Sequence, residues 1–174
     1  FSGVQYVEYS LEPENWFKAL VTAGYQERQA AWRFKHPVEL QDGAYEIRFR
    51  ATDFAGNVSQ IPEPQKIVID SIPPRIGSYT ISLGPLILLP EGESFRVPAG
   101  TQAKFTVSLE SDAKTAFLSI GTAKIQLANK AGLWETEILL GELGEYKMFL
   151  TAKDQAGNEA AERDMGTIEA ISKG

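Results

Sequence analysis

Apolar and polar residues alternate along several short stretches of the chain. In residues 45–52 every second residue is apolar, and residues 146–153 repeat that pattern, with Phe149 as the one apolar exception on the polar face. Shorter alternating runs lie at 7–11, 67–69 and 103–109. A period of two residues predicts β-strands that are buried on one face.

A helical period of 3.6 residues is not evident over more than a turn or two. Residues 16–31 come nearest to it, but Gly24 and the strands on either side make a hairpin followed by a loop an equal alternative. The chain is therefore predicted to be all-β. Short strands joined by Gly, Pro and Asn turns are typical of an antiparallel β-sandwich.

The sequence Asp-x-Ala-Gly-Asn occurs twice, and its two aspartates, Asp53 and Asp154, lie 101 residues apart. Each copy follows one of the two long alternating strands. Each strand starts with a glycine two positions before a tyrosine, and Trp32 and Trp134 precede these tyrosines at nearly equal distances. The repeated unit is therefore several strands long.

The repeated residues predict a turn and a corner. An aspartate can accept hydrogen bonds from the backbone just after it, and Gly and Asn tolerate positive φ, so each copy forms a hairpin loop. A tyrosine at the start of such a strand can tie the preceding loop to the sandwich edge. The predicted turn and corner residues are Tyr45, Asp53, Gly56 and Asn57, with Tyr146, Asp154, Gly157 and Asn158 in the second copy.

These features resemble the tandem bacterial immunoglobulin-like repeats of large surface and secreted proteins, which are similar in outline to fibronectin type III domains. The resemblance covers about the first 76 residues well, through "SGVQYVEYSLEPENWFKAL", "DGAYEIRFRATDFAGNVSQ" and "KIVIDSIPPRI", and returns at "GELGEYKMFLTAKDQAGNEA". It implies two tandem immunoglobulin-like antiparallel β-sandwiches, residues 1–71 and 72–174, with "DSIPPR" as a stiff linker.

The seven strands expected of such a module imply that the first module lacks its opening two. We expect the chain to be a segment of a longer protein whose upstream sequence supplies these strands. The alternative is that another chain donates them by β-strand addition.

Composition excludes several classes of function. A net charge of −6 and no local cluster of Lys or Arg argue against nucleic acid. No apolar run is long enough to span a membrane, and the chain has no cysteine for a disulfide or a thiolate metal site. The single histidine, His36, has no Ser or Asp constellation near it in sequence, so no enzyme activity is predicted.

A calcium site at the module junction is the one cofactor site that the sequence suggests. In the implied topology the linker lies near the turn of the second module, and oxygen ligands of this kind suit Ca²⁺. The candidate ligands are Asp70, Glu110, Asp112, Asp154 and Asn158. The alternative is that the repeated aspartates only hold their own turns.

Trp16 and Phe17 are the candidate carbohydrate-binding residues, because they follow a predicted hairpin tip and an exposed aromatic pair can stack on a sugar ring. The alternative is that they pack on the sheet.

The sequence thus predicts a non-catalytic spacer or adhesive stalk segment of a larger bacterial protein, located outside the cell or on its surface. Its expected partners are neighbouring modules of the same chain, with glycans or a host or cell-surface protein as further candidates. Two other roles stay open: a carbohydrate-binding accessory region of a secreted glycosidase, and a filament subunit completed by strand donation.

Overall fold

A computed structural model describes residues 2–27, 29–91 and 93–173. Every regular element in these ranges is a β-strand, which confirms the all-β prediction. No helix in them has the length and apolar character that crossing a membrane requires. The chain divides into two compact units, Phe1–Ser71 and Ile72–Gly174.

The first unit contains a single antiparallel sheet among its described residues. Its strands are β1 (Val4–Glu12), β2 (Asn15–Ala23), β3 (Ala31–Arg33), β4 (Gly43–Asp53) and β5 (Gln65–Ile69). Their order across the sheet is β3-β2-β1-β4-β5, so every neighbouring pair except β1–β4 is consecutive in sequence. No second sheet covers either face of this one within the part of the unit that the structure describes.

One face of the first sheet, called the inner face below, carries the apolar residues. Val7, Tyr9 and Ile47 are buried there. Phe34, from the loop after β3, packs on the Tyr9 ring with the ring centroids 4.3 Å apart. Part of this face forms an open groove of about 550 Å³, lined by strand residues that include Trp32 and Phe49 and by residues 59–62 of the loop after β4.

The opposite face, called the outer face below, carries charged residues among exposed apolar ones such as Leu20. Because directly paired residues share a face, the register places Glu8 beside Lys18 and Arg50 on this side. It likewise places Ser10 beside Arg48, Leu20 beside Arg33, and Glu46 beside Lys66.

The second unit is a sandwich of two sheets. Its strands are β6 (Ile76–Leu83), β7 (Leu86–Ile87), β8 (Ser94–Pro98), β9 (Gln102–Leu109), β10 (Ala113–Ile120), β11 (Ala123–Gln126), β12 (Ala128–Lys130), β13 (Leu133–Leu139), β14 (Gly144–Asp154) and β15 (Arg163–Ile171). One sheet has the order β12-β13-β9-β6-β7 and the other β11-β10-β14-β15-β8. All described pairings are antiparallel except that of β8 with β15, which is parallel.

Alternating residues of both sheets meet in the core of the second unit. Phe105 and Ile81 from one sheet, and Leu118, Met148 and Leu150 from the other, are fully buried in a single cluster. The predicted alternation in 103–109 and 146–153 therefore fills this core. Replacing one of these large side chains with alanine typically costs about 3–5 kcal/mol.

The segment that the sequence left open between helix and hairpin is a strand followed by a loop. β2 runs to Ala23, and Gly24, with φ of 74°, turns the chain away from it. The expected alternation at 7–11 holds for Val7 and Tyr9 but ends there. The register shifts between Tyr9 and Glu12, so Ser10 is buried as well and Leu11 is only half-buried.

Candidate functional site

The first Asp-x-Ala-Gly-Asn sequence forms a turn at the end of β4 that is organised around Asp53. Its Oδ1 accepts hydrogen bonds from the backbone N–H of Ala55 at 2.9 Å and of Asn57 at 2.8 Å. Its Oδ2 accepts one from the side-chain amide of Asn57 at 2.9 Å. Gly56 has φ of 85°, a conformation that a side chain would disfavour.

The second copy builds the same turn around Asp154 at the end of β14. Oδ1 accepts from the backbone N–H of Gly157 at 2.7 Å and of Asn158 at 2.8 Å, and Oδ2 accepts from the Asn158 side chain at 2.9 Å. Gly157 has φ of 100°. Asp154 is only 1% exposed, so these bonds compensate a buried carboxylate.

Both aspartates are held in the ionised form. Hydrogen bonds from the side chain and then the backbone of Asn57 lower the pKa of Asp53 to about 2. For Asp154, burial raises the pKa, and the hydrogen bonds from Asn158, Gly157 and Ala156 together outweigh it, so that the pKa lies below its usual value. Each turn is thus built on a charged acceptor.

A tyrosine corner precedes each of these strands. The Tyr45 hydroxyl donates to the backbone carbonyl of Gln41 at 2.7 Å, and the Tyr146 hydroxyl donates to that of Glu142 at 3.2 Å. In both cases the acceptor lies four residues upstream. The corner therefore fixes the loop that enters the strand, while the aspartate fixes the loop that leaves it.

The five predicted calcium ligands are spread over both units. Asp70 belongs to the first unit, directly after β5, and the other four belong to the second. Glu110 accepts a hydrogen bond through Oε2 from the backbone N–H of Arg75 at 3.1 Å. Asn158 is bound to Asp154, as described above.

Two of these candidates come close together within the second unit. Carboxylate oxygens of Asp112, in the turn between β9 and β10, and Asp154 lie within 4.8 Å of each other. Oδ1 of Asp112 is buried and has no hydrogen-bond partner among the described residues. Calcium takes six to eight oxygen ligands, which is more than two carboxylates supply. Calcium binding here therefore stays a prediction.

Trp16 and Phe17 lie on opposite faces of β2, as consecutive strand residues must. Phe17 is on the inner face, stacked on Tyr9 with centroids 5.6 Å apart. Trp16 is on the outer face, with the Arg50 guanidinium 4.1 Å from its ring centroid. The two rings therefore do not form one flat platform, and carbohydrate binding by the pair stays a prediction.

His36 lies within an aromatic cluster that sequence reasoning missed. Its Nδ1 is 3.2 Å from the Tyr9 hydroxyl, and its ring contacts Phe17 edge-on with centroids 4.9 Å apart. Tyr9 is buried, which raises its pKa. Among the described contacts of His36 there is none with a Ser hydroxyl or a carboxylate, so the ring packs with aromatic neighbours.

Residues 16–71 match the family model of the bacterial Ig-like domain. No curated protein matches the chain. Among solved structures, the fibronectin(III)-like modules of Clostridium thermocellum CbhA align with a TM-score of 0.55 at 16% identity, covering 98% of this chain and 80% of that one. At this identity the likeness shows the fold alone.

Two other solved structures align more loosely, both with a TM-score of 0.31. One is the Bacteroides ovatus mixed-linkage glucan utilization locus protein SGBP-B in complex with a mixed-linkage heptasaccharide, at 17% identity over 97% of this chain and 38% of that one. The other is the D00–D0 domain of intimin, at 13% identity over 94% and 85%. Residues 16–71 thus match the bacterial Ig-like domain family, and the chain has the fold of fibronectin(III)-like modules.

Proposed function

We propose that this chain is a spacer or adhesive stalk segment of a larger bacterial cell-surface or secreted protein. The observation that carries the proposal is the repeated architecture: the same corner, strand and aspartate turn is built once in each of two separate compact units. Domains of this kind are generally non-catalytic and serve as structural or accessory parts of larger proteins.

The linker supports a spacing role. Pro73 and Pro74 fix their own φ and remove two backbone donors, so the segment between β5 and β6 favours an extended conformation over a helix or a flexible coil. An acidic chain with a net charge of −6 also resists self-association, which suits a segment that separates other domains.

Small-angle X-ray scattering of the whole chain tests this role. A single compact particle of 174 residues would have a radius of gyration of about 16 Å. We expect a clearly larger value and the elongated distance distribution of two domains placed end to end. A value near that of one compact particle would contradict the spacer function.

The open inner face of the first sheet supports a second proposal, that this unit is completed by two more β-strands. In the second unit the corresponding face of β10 and β14 is covered by strands β6 and β9, whose Ile81 and Phe105 lie in the core. The first unit has no counterpart of β6 or β9 among its described residues, and its groove of about 550 Å³ is left open.

Sedimentation of the whole chain distinguishes two sources of these strands. If the same polypeptide supplies them, the chain stays monomeric, and adding its upstream sequence raises the unfolding midpoint and abolishes binding of an apolar dye. If another copy supplies them, the chain associates as its concentration rises, and Phe49→Glu in the groove dissociates it. If the chain neither binds the dye nor associates, the proposal is contradicted.

A further inference from the structure

The outer face of the first sheet collects the cations of the first unit. Residues 1–71 contain seven Lys and Arg residues, and the structure describes six of them. Five of these six occupy outer-face positions: Lys18, Arg33, Arg48, Arg50 and Lys66. The chain as a whole is acidic, so this clustering of cations is local. The part of the outer face that carries these five residues is called the cationic face below.

The acidic residues on this face do not neutralise it. Glu8 and Glu46 are the acids that pair across the sheet with cations of this face, and Glu12, which ends β1, pairs with Asn15. Glu8 forms an ion pair with Arg50 at 2.7 Å, and Glu46 forms one with Arg48 at 3.2 Å.

The other three cations have no acidic partner in the described ranges: Lys18, Arg33 and Lys66. They lie on β2, β3 and β5, and the two arginines lie on β4. Cations thus extend across the width of the sheet, which is about 19 Å for five strands.

Aromatic rings lie between these cations. The Lys18 ammonium is 4.6 Å from the centroid of the Tyr6 ring, and the Arg50 guanidinium is 4.1 Å from that of Trp16. Both rings are partly exposed. Cation–π contacts hold them in fixed positions beside positive charge, so the face combines planar apolar surfaces with donors suited to carboxylate or sulfate groups.

We propose that the cationic face binds an acidic polysaccharide, with its sugar rings against Trp16 and Tyr6 and its anionic groups on the surrounding Lys and Arg side chains. A ligand of this class combines regularly spaced negative charges with the apolar faces of sugar rings. The rest of the chain is acidic and disfavours a long polyanion such as nucleic acid, whereas a glycan segment confined to one face avoids that repulsion. This site is independent of the spacer role.

Calorimetric titration of the whole chain with an oligogalacturonate, a neutral gluco-oligosaccharide and an oligothymidylate tests the proposal. We expect the oligogalacturonate to bind with an affinity that falls as salt rises, and the other two to bind much more weakly. No binding of the oligogalacturonate would overturn the proposal. So would equal binding of the oligothymidylate, because that marks a general polyanion surface.

Paired charge reversals locate the binding surface. The double variant Lys18→Glu/Arg33→Glu removes two cations from the face and should weaken oligogalacturonate binding about tenfold or more. The control Lys35→Glu/Lys173→Glu changes the net charge equally at residues that do not belong to the strands of this face, and it should leave affinity nearly unchanged. An equal loss in both double variants contradicts a defined site.

A ring substitution separates sugar stacking from simple charge attraction. Trp16→Ala should weaken binding, and Trp16→Phe should restore most of it, since a planar ring is kept. Unchanged binding in Trp16→Ala would overturn the assigned contact. Circular dichroism and the thermal midpoint check that each variant is folded, and Lys18→Ala/Arg33→Ala replaces the double reversal if that variant unfolds.

Discussion

The hydrogen bonds that Asp53 and Asp154 accept from their own turns come from residues no more than four positions along the chain. Such contacts depend on local sequence, which is why the motif Asp-x-Ala-Gly-Asn predicts them without knowledge of the fold. The burial of Asp154 and the buried oxygen of Asp112 depend on distant strands. No sequence pattern marks that oxygen, so the sequence could propose Asp112 as a calcium ligand only from its place in the implied topology.

The lowered pKa of Asp53, about 2, predicts a loss of stability in acid. The ionised form is favoured in the folded state, so its contribution is complete above the ordinary pKa of 3.8 and disappears as the pH falls towards 2. Thermal midpoints of the protein and of Asp53→Asn should therefore differ at pH 5 and converge near pH 2. Glu63→Gln, in the exposed loop before β5, is the control and should show no comparable convergence.

The proximity of Asp112 and Asp154 allows a direct test of calcium binding. A ligand that binds only the folded state raises the unfolding midpoint. If these residues bind Ca²⁺, the midpoint rises with Ca²⁺ and falls with chelator, Asp112→Asn abolishes the shift, and the exposed control Glu162→Gln retains it. Equal midpoints with Ca²⁺ and with chelator would show that these two aspartates do not bind calcium.

At the scale of single elements, the tyrosine corners connect each long strand to the loop before it. Tyr45→Phe and Tyr146→Phe remove one hydrogen bond each and keep the ring, so each should lower the free energy of unfolding by about 1 kcal/mol or less. The bond from Tyr45 is shorter, 2.7 Å against 3.2 Å, so its loss should cost more. Urea unfolding of both variants measures the difference, and no loss in either would show that the corners do not stabilise the fold.

Strand positions could be predicted from sequence better than strand partners. The alternation of β9 and β14 is a local property and is found in the structure, whereas in β4 it is incomplete, because Phe49 and Ala51 are only half-buried and Thr52 is buried. Trp32 and Trp134 occupy matching places in the repeat. β3 nevertheless pairs with β2, in the sheet that contains β4, whereas β13 pairs with β9, in the sheet that lies opposite β14. Pairing depends on which other strands are present, and the first unit has no counterpart of β9 among its described residues.

At the scale of the whole molecule, the two units differ in how their apolar residues are covered. The second unit buries one continuous cluster between two sheets, whereas the first has a single sheet and an open groove among its described residues. Less apolar burial means less stability. We therefore expect the first unit to unfold at a lower urea concentration than the second.

Tryptophan fluorescence can separate the two transitions. Trp16 and Trp32 lie in the first unit and Trp134 in the second, so Trp134→Phe leaves reporters of the first unit alone. Its fluorescence transition should precede the loss of the far-ultraviolet circular dichroism signal of β structure. Coincident transitions by both probes would mean that the chain unfolds in one cooperative step.

The parallel pairing of β8 with β15 gives the second unit a mechanical property. β8 is the third strand of this unit and β15 its last, and five residue pairs join them, from Ser94–Thr167 to Pro98–Ile171. When tension draws the start of β8 and the end of β15 apart, two parallel strands must slide along each other. The hydrogen bonds between them then share the load and do not open one at a time. All five residue pairs must therefore break together before tension between these two points can separate β8 from β15.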